Sequence, residues 1–126
     1  FPTRRSSDLA LLKDGYDFAY IHVEAPDEMG HQGSVEKKIQ AIEYLDERVI
    51  KLVKEGLDQS GEDYRLLILP DHPTPISVKT HTANPVPYLL YDSRKREETG
   101  GFYNEEAGAS LEPVKGHELL KILFEE

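Results

Sequence analysis

The chain contains no cysteine, which excludes disulfides, thiolate nucleophiles and cysteine-based zinc sites and fits a reducing compartment. Long apolar runs are missing as well: the longest are about five residues, far short of the ~20 that a membrane-spanning helix needs. Basic residues are in the minority, with 15 Lys and Arg against 24 Asp and Glu and a formal charge of −9. That balance opposes the counterion release on which nucleic-acid binding relies, so neither nucleic acid nor an anionic membrane is an expected partner. There is no internal repeat, low-complexity tract or linker. What remains is 126 residues with a 38% hydrophobic share, enough for one folded domain and too little for two with separate cores.

Residues Phe1 to Leu9, FPTRRSSDL, look like the translation of a common sequencing-library adapter, and on that expectation they are set aside as foreign. The domain is then expected to occupy residues 10–126, with whatever preceded Ala10 missing.

Ala10 to Lys13 reads as the last turn of a helix that Asp14-Gly15 ends. Phe18 to Val23, FAYIHV, is aromatic and β-branched and bounded by turn formers, which predicts a strand buried on both faces. Glu24 to Gly33, EAPDEMGHQG, reads as a loop. Ser34 is a natural N-cap, and Val35, Ile39, Ile42, Leu45, Val49, Leu52 and Val53 follow at three- and four-residue spacing, predicting an amphipathic helix that ends near Gly56. Arg65 to Leu69 is a second strand stopped by Pro70, and Val86 to Tyr91 a third. A helical turn is expected around Asn104 to Ala107, and a last amphipathic helix over His117 to Phe124. The order is that of an α/β fold. Strand, helix and strand make a right-handed βαβ unit with its two strands parallel. The sheet is left with a bare edge, as in the carboxyl half of a larger α/β domain, and aggregation is a fair expectation.

Residues suited to chemistry cluster in two loops. Asp27 and His31 lie four apart after the first strand; Asp71-His72 follows the second strand, with His81 nine residues further on. Parallel strands place their carboxyl ends on one edge, where α/β sheets bind ligands. His81 precedes its strand, so it reaches that edge only if the strand at 86–91 runs antiparallel to its neighbour, and that orientation is expected. Three imidazoles and two carboxylates are too many for one tetrahedral zinc and suit a pair of divalent cations.

These residues carry a resemblance. The run Tyr16 to Gly33, YDFAYIHVEAPDEMGHQG, resembles the metal-binding signature of archaeal-type cofactor-independent phosphoglycerate mutases, members of the alkaline phosphatase superfamily. Leu69 to Pro75, LPDHPTP, and Thr80 to Tyr88, THTANPVPY, resemble that family's next two signatures in order and spacing. The resemblance implies the C-terminal part of an alkaline-phosphatase-like α/β/α sandwich, with a mostly parallel sheet and the strand at 86–91 antiparallel. It further implies two divalent ions, commonly Mn²⁺, with Mg²⁺, Co²⁺ or Zn²⁺ as alternatives. One would be held by Asp27, His31 and His81. The other would be held by Asp71 and His72, with an aspartate and a nucleophilic serine from the amino-terminal half. The implied activity is interconversion of 3- and 2-phosphoglycerate through a phosphoserine, on a small phosphorylated substrate, in a cytoplasmic glycolytic enzyme. No serine of this chain lies in a matching nucleophile motif, so no catalytic residue is expected within it and the chain by itself is expected to be inactive.

Other residues have plainer readings. His22, mid-strand, is expected to be packed and hydrogen-bonded, His117 solvated, and Glu24 either an acceptor behind a ligating imidazole or a loop anchor. Glu28 adjoins a ligand without being one. Lys79, Arg94, Lys95 and Arg96 read as a solvated basic run, and Glu36, Glu43, Asp46 and Glu47 as exposed helix surface. Two other functions fit the residues: a different phosphoryl-transfer enzyme of the superfamily (a phosphatase, phosphopentomutase or small-molecule kinase), and a non-catalytic α/β interaction module that binds no metal.

Overall fold

The computed structural model describes residues 13, 15–95 and 101–125. The adapter-like start, nearly all of the expected turn at 10–13, and Arg96 lie outside these residues. The described chain forms two compact units, one of residues up to 62 together with 74–81, the other of 63–73 together with 82 onward.

The first unit is helical. Helix α1, Ala25–Gln32, occupies the stretch expected to be a loop. It forms there because Pro26 sits at the start, where its missing N–H costs nothing, and Asp27 and Glu28 complement the positive end of the helix dipole. Gly33 closes it in the left-handed conformation, φ 70°, with its N–H bonded to the Gly30 carbonyl and the Ser34 N–H to that of Met29. Ser34 is the expected N-cap of α2, Val35–Leu45, its hydroxyl accepting from the Lys37 N–H at 3.3 Å. A wider π-helical turn, Asp46–Ile50, joins α2 without a break to α3, Lys51–Ser60. The long helix therefore runs past Gly56 to Gly61, which has φ 76° and provides the left-handed stop. The wider turn re-phases the apolar stripe. Val53 and Leu57 are buried, whereas Val35, Ile39 and Ile42 remain 49–57% exposed.

No strand forms over Phe18 to Val23. A strand apolar on both faces needs a partner along its edge and a layer on each side. The segment is not covered in that way: Tyr20 is 76% exposed, and His22 is exposed rather than packed. Among the described residues the parallel βαβ pairing therefore does not form.

The second unit holds strands where the other two were expected, with other bounds: β1 at Arg65–Ile68 stops short of Leu69, and β2 at Leu89–Asp92 begins three residues after Val86. They pair antiparallel, in the orientation expected for the third strand, with Arg65 opposite Asp92 and Ile68 opposite Leu89. The observed sheet is thus a two-stranded antiparallel ribbon in a largely helical chain. Helix α4, Glu105–Ala109, is capped by Asn104, whose side-chain oxygen accepts from the Ala107 N–H at 2.8 Å. Helix α5, Gly116–Phe124, buries Leu119. Among the described residues no helix is long and apolar enough to cross a membrane.

Arg65 organises this unit. Its Nε donates to Asp92 across the ribbon at 3.0 Å, and its Nη1 donates to the Ile122 and Leu123 carbonyls at 3.3 and 3.1 Å. Those carbonyls lie in the last turn of α5, where helical partners run out. Asp92 also accepts from the Arg94 guanidinium, at 3.1 and 3.0 Å, and from the Arg94 N–H at 2.9 Å. Arg94, helped by Arg65, holds the Asp92 carboxyl well below the usual carboxylate range. A depressed carboxyl pKa stabilises the fold above the ordinary value near 4 and loses that contribution as pH falls. Urea unfolding followed by circular dichroism should show the parent chain losing stability below about pH 4. Asp92→Asn should be less stable at neutral pH and flatter across the acid limb; an unchanged acid limb would remove Asp92 from this role.

Candidate metal centre

Asp27 and His31 stand at i and i+4 of α1, so both side chains leave the same face of the helix. His81 reaches them from the returning segment, residues 74–81, which packs within the same unit. The three donors converge. The Asp27 carboxylate lies 3.3 Å from His31 Nε2 through Oδ2 and 3.2 Å from His81 Nε2 through Oδ1, and the two Nε2 atoms are 3.2 Å apart. Divalent ions bind imidazole nitrogen and carboxylate oxygen at about 2.0–2.2 Å, which sets donors around one ion roughly 3–3.5 Å from each other. The observed separations fall in that interval. Each side chain is 35–50% exposed, so the cluster is open to solvent.

The surroundings orient these donors. His31 Nδ1 is 3.0 Å from the Lys79 carbonyl. A carbonyl can only accept, so this contact calls for a proton on Nδ1, and Nε2 is the ring nitrogen that faces the cluster. The Thr74 hydroxyl donates to Asp27 Oδ1 at 2.5 Å. Thr74 is only 6% exposed, and its own carbonyl accepts from the Lys38 ammonium of α2 at 2.7 Å. It lies close against Gly30: a Cβ at that position would meet the Thr74 carbonyl oxygen at 2.5 Å and its Cγ2 at 2.9 Å.

Asp71 and His72 lie in the second unit, on the loop just after β1 as expected. Asp71 Oδ1 accepts from the His72 N–H at 3.0 Å and lies 3.4 Å from His72 Nε2. His72 Nδ1 faces the Pro73 carbonyl at 3.4 Å. Of the five expected ligands, three are therefore assembled in one unit and two are neighbours in the other. Glu28, Glu24 and His117 are exposed. Arg94 pairs with Asp92, so it is not simply solvated.

Thr74, Gly30 and Lys38 were not singled out from the sequence. Only Gly30 left a signal there, as a glycine between two candidate ligands; an interior helix glycine commonly marks a close backbone approach. Gly30→Ala would force Thr74 away from Asp27. It should destabilise the chain by about 1–3 kcal/mol through overpacking despite alanine's better helix propensity. Urea denaturation measures this, and an unaltered or raised midpoint would show the contact to be slack.

A family model described as the metalloenzyme superfamily matches residues 7–126. The chain is 45% identical over 111 residues to the 2,3-bisphosphoglycerate-independent phosphoglycerate mutase of Methanosarcina mazei, covering 86% of this chain and 28% of the relative. It is 42% identical over 115 residues to the probable enzyme of that name from Geobacter sulfurreducens, covering 89% and 29%. For the enzyme numbered 1 of Archaeoglobus fulgidus the identity is 38% over 114 residues, covering 89% and 27%. The chain therefore spans less than a third of the length of these curated relatives. No solved structure gives a significant match. A match running from residue 7 to the last residue, over a chain whose imidazoles and carboxylate already stand at metal-sharing distances, means that this chain belongs to the metalloenzyme superfamily.

Proposed function

We propose that the chain is the metal-holding C-terminal part of a phosphoglycerate mutase that works without 2,3-bisphosphoglycerate and interconverts 3- and 2-phosphoglycerate. The observation that carries this reading is the convergence of Asp27, His31 and His81 on one point, in a chain similar along most of its length to proteins bearing that name. Two imidazoles and a carboxylate suit a divalent metal ion; the family resemblance favours Mn²⁺ as the occupant, with Mg²⁺, Co²⁺ or Zn²⁺ alternatives. Asp71 and His72 would supply part of a second site. An ion at such sites offsets charge on a phosphoryl group and lowers the pKa of a hydroxyl nucleophile.

The chain's own residues have narrower tasks. Asp27 and His31 hold their positions through the helix, and His81 closes the set from a distant part of the sequence. The serines with described contacts serve the backbone. Ser34 caps α2, Ser60 donates to the Leu57 carbonyl at 2.6 Å, Ser93 accepts from the Tyr64 N–H at 2.9 Å, and Ser110 donates to the Ala107 carbonyl at 2.9 Å. This supports the reading that the phosphate-accepting serine is not among them. In the complete enzyme the chain would form part of an α/β/α sandwich with a mostly parallel sheet, in a cytoplasmic, glycolytic setting.

Mn²⁺ titration followed by electron paramagnetic resonance tests the proposal. The chain should bind Mn²⁺, and Asp27→Ala or His81→Ala should remove measurable binding while the helical dichroism persists. An interaction module would bind none, and that result would end the metal reading. The purified chain should not convert 3-phosphoglycerate; turnover in a coupled enolase assay would show that a nucleophile lies within it.

A further inference from the structure

The centre's outer contacts come from one short segment. Residues Pro75 to Lys79 make a single helical turn, with the Val78 and Lys79 N–H groups both bonded to the Pro75 carbonyl, at 3.1 and 2.9 Å. The turn ends at Lys79 with φ 60°, and among the described residues this is the one non-glycine with positive φ. That position normally takes glycine, because a Cβ there crowds the following carbonyl oxygen. The strained residue is also the one whose carbonyl accepts from His31 Nδ1. Its methylene stem lies over Gly33 at the end of α1, where an added Cβ would meet Lys79 Cε at 2.5 Å. At the other end of the segment Thr74 donates to Asp27, and His81 follows two residues after Lys79.

We propose that Thr74 and the left-handed Lys79 backbone are positioning elements of the metal centre: together they fix the Asp27 carboxylate and the His31 tautomer before the ion arrives. This rests on the metal reading above and deepens it. Without the Thr74 hydroxyl, Asp27 Oδ1 loses the donor that sets its orientation. Without the carbonyl aimed at Nδ1, His31 can place its proton on Nε2, the nitrogen that must stay bare. In either case an ion would have to order its ligands as it binds, and loss of such outer contacts commonly weakens metal affinity 10–100-fold. Tolerance of strain at Lys79 is what such a role predicts, because strained backbone persists where the surroundings require it.

The test is the Mn²⁺ dissociation constant of this chain, measured by electron paramagnetic resonance, with far-ultraviolet dichroism as the check on folding. Thr74→Val keeps the methyl over Gly30 and removes the donor; it should weaken Mn²⁺ binding about 10–100-fold. Thr74→Ser restores a hydroxyl and should stay within about threefold of the parent, since a hydroxyl of either residue can donate. Parent-like affinity in Thr74→Val, or a Thr74→Ser loss as large as that of Thr74→Val, would overturn the assignment. Should Thr74→Val fail to fold, Lys79 decides. Lys79→Gly adopts positive φ freely and should bind as the parent does, whereas β-branched Lys79→Val should bind at least tenfold more weakly, and equal affinities would refute the proposal. The two readings fail differently. If the parent chain binds no Mn²⁺, the metal site itself is wrong and this inference falls with it. If Asp27→Ala abolishes binding while Thr74→Val leaves it intact, only the positioning roles are wrong.

Discussion

The close seat of Thr74 on Gly30 is the contact on which the centre depends. Helix α1 alone can put Asp27 and His31 on one face, because i and i+4 are neighbours on any α-helix. It cannot choose a rotamer for either. That choice is made by a segment more than forty residues away in sequence, which brings a hydroxyl to Asp27, a carbonyl to His31 and the third donor, His81. The segment comes near enough only because residue 30 has no side chain. The Lys38 ammonium then donates to the Thr74 carbonyl, tying α2 into the same arrangement.

The second unit solves a different problem with similar means. A ribbon of two four-residue strands is marginal in water. Here it is clamped by a cross-strand charge pair at its end, Arg65 with Asp92, and the same guanidinium reaches the open carbonyls of α5. One side chain thereby joins three elements. Asp92 answers with both oxygens, to Arg65 and to Arg94. Charge on this unit serves cohesion; on the first unit it is arranged around a point where a cation would complete it.

Where the sequence was readable, the signal was local. Ser34 before a three- and four-spaced apolar stripe marks a helix start on its own, and Asn104 before Glu105 does the same. Arg65 to Ile68 and Leu89 to Asp92 are short β-forming runs, and their antiparallel pairing was expected because His81 precedes the second of them. Phe18 to Val23 is richer in aromatic and β-branched residues than either and forms no strand, since a ladder needs a second chain segment that composition cannot supply. The stretch at 25–32 reads as a loop because proline, glycine and polar residues dominate it, yet Pro26 and Gly33 fall at the two ends, where a helix tolerates or needs them.

The sequence by itself determined the kinds of donor present and their grouping: an aspartate and a histidine four residues apart, an Asp-His pair after a strand, and a further histidine. It also determined the helix start at the Ser34 cap, because that is decided within a few residues of chain. Only the tertiary structure decided which histidine nitrogen faces the cluster, which hydroxyl steadies the aspartate and why Lys79 accepts a conformation suited to glycine. Those outcomes depend on atoms brought within 3 Å of each other from residues nearly fifty positions apart, and no local rule of backbone or side-chain preference reaches that far.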